Sequence, residues 1–405
     1  MVNYYVSVYT LKNNIGLAML TQRPSASLNS FPFLAVPLFI LAGELMNMGG
    51  ITKRLIKFSD CLVGWIPGGL AHTNIVASIV FAGMSGSAVA DAGGLGSILV
   101  PAMKSEGFDD EFSVGVTAAS STIGPIVPPS IPMVLYGLGT GVSVTALFLG
   151  GLLPGLLMGA TQMVAAYMLA LKRHYPKHKR PSLKQFLRST TDALPALLMP
   201  FIMMSGIILG VFTPTEAAAV TVAYGFFVGL VLYRELPIRD IPRLLETTCL
   251  RTAQVAFIVG YAMLFGWLLG FARVPELVAS LFLRITSNRL GVLLLINVFL
   301  LIVGMFMDGV AAMLILIPVF VPVVTKLGIS PVHFGVMMVL NLMIGLVTPP
   351  VGACLYVLTD IAKISFERVV RGIAPFLIPL VIALLLVTCF PELVLFIPRL
   401  LLGSV

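Results

Sequence analysis

The chain has 405 residues, of which 58% are hydrophobic and only 10% charged, with a mean hydropathy of +1.04. Ordinary soluble domains carry about 25% charged residues, so a water-soluble enzyme is excluded and an integral membrane protein is expected. The formal net charge of +8 does not signal nucleic acid, because the basic residues gather between apolar segments, where the positive-inside rule gives them topological meaning.

Residues 1–30 form an atypical N-terminal segment with no cleavable signal peptide and apolar stretches too short to span. Segments long enough to cross a bilayer, about 20 residues each, follow at roughly 31–49, 145–171, 192–212, 214–233, 252–272 and 374–397. Ten-residue alternating strands are missing, so the spanning mode is helical. Between the spans, ITKRLIK (51–57), KRHYPKHKRPSLKQFLR (172–188) and RELPIRDIPRLLETTCLR (234–251) read as cytoplasmic loops. His174 and His178 are expected to be solvated in the second of these. The four cysteines are scattered, with no CxxC and no pairing implied.

At one constant spacing, Gly83, Met84, Pro101, Gly107, Gly124, Pro128, Pro129, Gly151 and Pro154 fall on Gly304, Met305, Pro322, Gly328, Gly345, Pro349, Pro350, Gly372 and Pro375. IGPIVPP (123–129) thereby matches IGLVTPP (344–350). The chain reads as two structural repeats, 31–171 and 252–398, joined by 172–251, a basic loop plus a connecting helix pair. If 172–188 is cytoplasmic, 145–171 runs inward and 112–141 outward, so 68–104 starts and ends on one side and forms a re-entrant hairpin with its tip at MSGSA. In the second repeat, 252–272 leaves the cytoplasm and 290–326 becomes a hairpin entering from outside, tipped at FMDG (306–309). The repeats are therefore inverted. Inverted repeats with re-entrant hairpins and broken helices (112–141 and 333–359) mark a secondary transporter with its site near the midplane.

The stretch SSTIGPIVPPSIP (120–132) puts four prolines in thirteen residues. Such a break frees carbonyls and N–H groups, tolerable only where they line a protein-enclosed polar cavity. The half-helix ahead of the break ends in carbonyls suited to a hard cation; the one after it begins with N–H groups suited to an anion. Ser85 and Ser87 flank Gly86 at the first tip, so their hydroxyls and the carbonyls at Gly124, Val127 and Pro129 make a candidate sodium cage. In the second repeat Ser87 corresponds to Asp308 and Val127 to Thr348, giving Asp308, Thr348 and the carbonyls around Gly345 and Pro350. A charge such as that of Asp308 costs roughly 2.5–3.5 kcal/mol at mid-membrane, so a partner such as Na⁺ is expected, or else a capping role at the tip. Candidate substrate contacts are Ser130 beyond the Pro-Pro pair, Asp91 one turn past the first tip, and Arg273, whose alternative is interfacial anchoring. Glu44 and Asn74 fit interhelical hydrogen bonding as well as substrate contact. The GxxxG spacings at Gly225/Gly229 and Gly266/Gly270 suggest close helix packing. His72 and His333 read as structural.

The ordered motifs LAVPLFILAGELMNMGGITKRL, IVFAGMSGSAVADAGG, TAASSTIGPIVPPSIPMVLYG, GVFTPTEAAAV, VGMFMDG and IGLVTPPVGACLYV resemble the large membrane subunit of a tripartite ATP-independent periplasmic (TRAP) transporter, over about residues 28–400. The resemblance implies Na⁺-driven uptake of an organic acid anion (a dicarboxylate, sialic acid or a sugar acid) and an elevator-type moving domain carrying both hairpins. It also implies a small four-helix membrane partner, a periplasmic substrate-binding protein and a multi-pass position in the bacterial inner membrane. By resemblance, the first sodium site falls on Ser85, Ser87, Gly124, Val127 and Pro129, and the second includes Asp308, Gly345 and Thr348. The family's pattern has a further apolar helix before LNSFPFLAVP, where this sequence has a short polar stretch. No GxxxxGK[ST] motif is present, so the expected energy source is the ion gradient and not ATP. Two rival readings are an intramembrane serine protease, with Ser85 of GMSG (83–86) as nucleophile and His333 as base, and a non-transporting scaffold subunit.

Overall fold

The computed structural model describes residues 19–286 and 288–403; residues 1–18 of the N-terminal segment lie outside the described residues. All regular structure among the described residues is helical. Eight helical segments there are long and apolar enough to cross a membrane: Phe31–Met48, Val144–Arg173, Leu183–Ile208, Pro214–Leu232, Ile238–Phe271, Arg289–Phe306, Gly309–Lys326 and Phe366–Cys389. The chain is a multi-pass, all-α membrane protein.

In chain order, α1 (Met19–Leu28) precedes α2 (Ala35–Met48), and α3 (Ile51–Val63) follows the Gly49–Gly50 turn. ITKRLIK is thus helical and not a loop. Ile51 and Leu55 are buried while Lys53 and Lys57 are exposed, an amphipathic spacing that lets a charged segment keep a helix against the core. Next come α4 (Gly69–Ser85) and α5 (Ala88–Ser105), then α6 (Asp110–Ser121), α7 (Ile131–Thr140) and α8 (Val144–Arg173). The connecting pair is α9 (Leu183–Ile208) and α10 (Pro214–Phe227). Ser182 with Gln185, and Thr213 with Glu216, form capping boxes that fix where this pair begins. The basic loop is correspondingly shorter than its charge suggests.

Helix α11 (Ile241–Phe271) starts well before the apolar run at 252, with Pro242 in its first turn. It is followed by α12 (Val274–Ile285), α13 (Arg289–Phe306), α14 (Gly309–Lys326), α15 (Pro331–Gly345), α16 (Ala353–Ala362), α17 (Phe366–Cys389) and α18 (Glu392–Leu402). The expected single span 374–397 is in fact two helices. The residue before Pro391 is pushed out of helical conformation, so α17 ends at Cys389.

The pairs α4–α5 and α13–α14 are helical hairpins with two-residue tips, and α6–α7 and α15–α16 are helices interrupted at 122–130 and 346–352. Gly86 turns the first tip at φ +59°. Start and end of the two interrupted helices are crossed against each other. Arg368, at the start of α17 just past α16, pairs with Asp110 at 3.3 Å and Glu111 at 2.6 Å. Lys104 joins this group, donating to the Ala362 carbonyl at 3.0 Å. At the other end, the Tyr136 hydroxyl donates to the Pro331 carbonyl at 2.8 Å. The two therefore run antiparallel.

Buried asparagines pin each hairpin to its interrupted helix. Asn74 Nδ2 donates to Thr117 Oγ1 at 2.6 Å, and Ser120 Oγ donates to Asn74 Oδ1 at 3.2 Å. Asn341 Nδ2 donates to Asn297 Oδ1 at 2.7 Å, and Asn297 Nδ2 to Thr388 Oγ1 at 2.8 Å. Asn74 is glue in this sense, as buried polar groups must be satisfied where water is absent.

His178 is not merely solvated. Its Nδ1 lies 2.8 Å from Asp60 at the end of α3, and its Nε2 lies 3.0 Å from Glu106 just past α5. Burial opposes the imidazolium, but the hydrogen bond to Glu106 and the charges of Asp60 and Glu106 outweigh it, so the pKa is raised. A raised folded-state pKa contributes stability that is fully present below the ordinary histidine value and lost as pH climbs through the raised one. Thermal unfolding in detergent should therefore show a Tm that falls on going from mildly acidic to mildly alkaline pH. His178→Gln should flatten that slope, and an unchanged slope would refute the assignment.

Candidate functional site

At the first tip Ser87 caps α5, its Oγ accepting from the Ala90 N–H at 3.4 Å. The tip lies against the first break: a Cβ on Gly86 would sit 2.9 Å from the Pro129 carbonyl oxygen and 3.1 Å from the Ile131 nitrogen. Only glycine allows that approach. Inside the break, Val127 N–H donates to the Ile123 carbonyl at 3.1 Å, and no donor among the described residues bonds the Gly124 or Val127 carbonyls. Asp91 is buried against the same turn, since a Cβ on Gly124 would meet its Oδ2 at 2.1 Å. Ser130 caps α7, accepting from Met133 N–H at 3.2 Å and donating to the Pro125 carbonyl. The Ser85 side chain lies outside the described residues.

The second tip repeats the contact with different chemistry. Gly304 and Gly345 touch backbone to backbone, with a Cβ on Gly345 falling 2.6 Å from Gly304 Cα. Val351 N–H donates to the Met305 carbonyl at 3.3 Å. Asp308 is exposed and caps α14, accepting from Val310 N–H at 3.0 Å and Ala311 N–H at 3.1 Å. Thr348 Oγ1 donates to the Ile344 carbonyl at 2.6 Å, and Gly345's carbonyl accepts from Thr348 N–H at 3.0 Å. Pro350 is exposed at the end of this turn.

Both tips and the first break open onto one cavity of about 600 Å³. Ser87, Asp308, Pro125 and Ile131 line it, and so does one face each of α2 and α11: Ile40, Gly43, Glu44 and Asn47 opposite Arg251, Gln254, Val255 and Ile258. Glu44 and Arg251 form an ion pair across it. Arg273 does not line this cavity. It is exposed beyond the end of α11, about 22 Å past Ile258 at 1.5 Å per residue.

Sequence reading missed Arg251, Gln254 and Asn47. The available signal was the spacing i, i+3, i+4, i+7 in both sets, which puts four residues on one helical face. Of the GxxxG glycines, Gly266 does pack closely, with a Cβ there 2.8 Å from Pro318 Cγ, but Gly270 has open space around it.

Residues 1–393 match the family model described as the tripartite ATP-independent periplasmic transporter, DctM component. The chain belongs to this family. The sialic acid TRAP transporter large permease protein SiaM of Vibrio cholerae is 46% identical to the permease over 393 residues, 97% of this chain and 92% of that one. The C4-dicarboxylate TRAP transporter large permease protein DctM of Pseudomonas aeruginosa is 39% identical over 369 residues, 91% and 86% of the two chains. Among solved structures, the YdaH transporter of Alcanivorax borkumensis superposes with a TM-score of 0.66 at 16% identity, over 93% of the permease and 89% of its own chain. That is a likeness of fold.

Membership overturns the serine protease reading, since the relatives are permease subunits and not enzymes. The proposed base is also engaged elsewhere: His333 is buried and its Nε2 lies 2.8 Å from the Val387 carbonyl.

Proposed function

We propose that the permease is the transport core of a sodium-coupled, binding-protein-dependent importer of an organic acid anion across the bacterial inner membrane. Its partners are a small four-helix membrane subunit and a periplasmic substrate-binding protein. The observation that carries this reading is the pairing of each helix break with a hairpin tip beside one shared cavity. Carbonyl, hydroxyl and carboxylate oxygens are the ligands a hard cation takes, and they cluster at these breaks. The antiparallel run of the two interrupted helices supports an inverted repeat, and inverted repeats support alternating access by movement of one bundle against another. In the elevator form of that movement, both hairpins travel together.

Each sodium ion entering with the membrane potential contributes about 2.3 kcal/mol per 100 mV. Two or more ions per monovalent anion, or three or more per divalent anion, make uptake electrogenic. The first sodium site comprises Ser85, Ser87 and the carbonyls of Gly124, Val127 and Pro129; the second comprises Asp308, Thr348 and the carbonyls near Gly345 and Pro350. Asp91 and Ser130 are buried beside the first break, outside the cavity lining, and support that break from behind.

The test is uptake into proteoliposomes containing the permease, the small subunit and the binding protein. The scan begins with sialic acid, C4-dicarboxylates and 2,3-diketo-L-gulonate, the substrates in the names of relatives. An inward sodium gradient should drive accumulation. Full transport from a proton gradient without sodium would refute the ion assignment, and no uptake of any organic acid would favour a scaffold subunit.

A further inference from the structure

The charges around the cavity point to a narrower substrate class and to the residue that recognises it, an inference that rests on the organic-anion reading above. Among the described residues, three charged side chains line the cavity: Glu44, Arg251 and Asp308. Only Arg251 is cationic. It stands on the face of α11 that also presents Gln254, Val255 and Ile258, opposite the face of α2 that presents Ile40, Gly43, Glu44 and Asn47.

The two faces divide the cavity lengthwise. Glu44 and Asn47 come late in α2, and Arg251 and Gln254 come before the apolar residues of α11. Because Glu44 meets Arg251, these polar residues share one end, while Ile40, Val255 and Ile258 line the other. Asn47 also reaches the first hairpin, where a Cβ on Gly94 would lie 2.9 Å from its Oδ1. The polar end thus spans all three elements that meet there.

Exposure distinguishes the two partners of the ion pair. The Arg251 side chain is 48% exposed and that of Glu44 14%. Glu44 is the covered anchor; the guanidinium is the accessible member. Ion pairs open to water are weakly held, so a carboxylate arriving in the cavity competes for the guanidinium. Arginine suits this exchange, because its planar fork of donors matches a carboxylate.

We propose that Arg251 is the specificity-determining residue of the cavity. It would bind the carboxylate of a substrate carrying a single negative charge, while Glu44 orients and neutralises it between cycles. A second carboxylate has no further cationic side chain among the described lining residues and faces the carboxylate of Glu44. The amides of Asn47 and Gln254 suit hydroxyl or amide groups on the rest of the substrate. A polyhydroxylated monocarboxylate is favoured over a dicarboxylate.

The experiment compares sodium-driven uptake of sialic acid, with one carboxylate, and succinate, with two, by the complete transporter. Wild type should prefer sialic acid. Arg251→Gln should raise the sialic acid KM about 10- to 100-fold, the range expected for a lost charge-assisted hydrogen bond, with the sodium concentration for half-maximal rate unchanged. Since Gln leaves Glu44 without its partner, the double variant Glu44→Gln with Arg251→Gln is measured alongside it and should show the same KM defect in a folded protein. Arg251→Lys should recover part of the affinity. A wild-type KM in the double variant, or better uptake of succinate than of sialic acid by wild type, would overturn the proposal. Uptake driven by protons alone would instead refute the sodium reading and leave the role of Arg251 standing.

Discussion

Gly345→Ala should cost about 1–3 kcal/mol, the usual range for forcing a methyl into a filled site. The added carbon would fall 2.6 Å from both the Cα and C of Gly304 and 2.7 Å from its oxygen. All three are backbone atoms of a helix that Asn297 and Asn341 already pin in place, so the strain cannot be relieved by turning a side chain. The end of the hairpin must move off the break, and the Val351 to Met305 hydrogen bond goes with it. Gly270→Ala is the matched control. That glycine is helical, lies outside the left-handed region, and a Cβ there meets nothing within 4 Å. Restricting the unfolded chain should stabilise this variant by a few tenths to about 1 kcal/mol. Thermal unfolding of the two purified variants reads both signs at once, and a Gly345 variant as stable as wild type would show that the seam is not close-packed.

Asp308→Asn should raise the sodium concentration for half-maximal uptake by about tenfold or more while leaving the fold intact, a factor that corresponds to about 1.4 kcal/mol. The carboxylate has two tasks that substitution can separate. It caps α14 by accepting from the Val310 and Ala311 N–H groups, and it brings a negative charge to the cavity wall. An asparagine oxygen accepts the same two bonds but carries no charge. Asp308→Ala removes both, and should lose about 1 kcal/mol of stability in addition. If the Asn variant keeps normal sodium dependence, the carboxylate is only a helix cap and the second ion site lies elsewhere.

The breaks were legible because proline and glycine act locally. Pro128, Pro129, Pro349 and Pro350 cannot continue an α-helix whatever surrounds them, so IGPIVPP and IGLVTPP announced two interruptions before any contact was known. The tips followed from chain direction and the placing of basic residues. What stayed hidden depends on partners distant in the chain. Arg251 looked like the last residue of a basic loop, because the charges of RELPIRDIPRLLETTCLR masked the helix-start signal of Pro242 and nothing there reveals that Glu44 waits across a cavity. His178 likewise stands in a run of lysines and arginines, and only the fold brings Asp60 and Glu106 to its ring. The short helix α3 was misread for a related reason: its charges were counted and its apolar spacing was not.

Glycine at Gly86, Gly304 and Gly345 lets main chain lie on main chain, with no flexible side groups between to absorb a shift. Seams of that kind behave as welds, and the asparagine pairs act as rivets beside them. Compliance then falls to the joints outside, such as Gly141 and Gly210, whose left-handed turns have clear space around them. Labels placed across a weld should keep a fixed separation through the working cycle, whereas labels placed across those joints should report the changes.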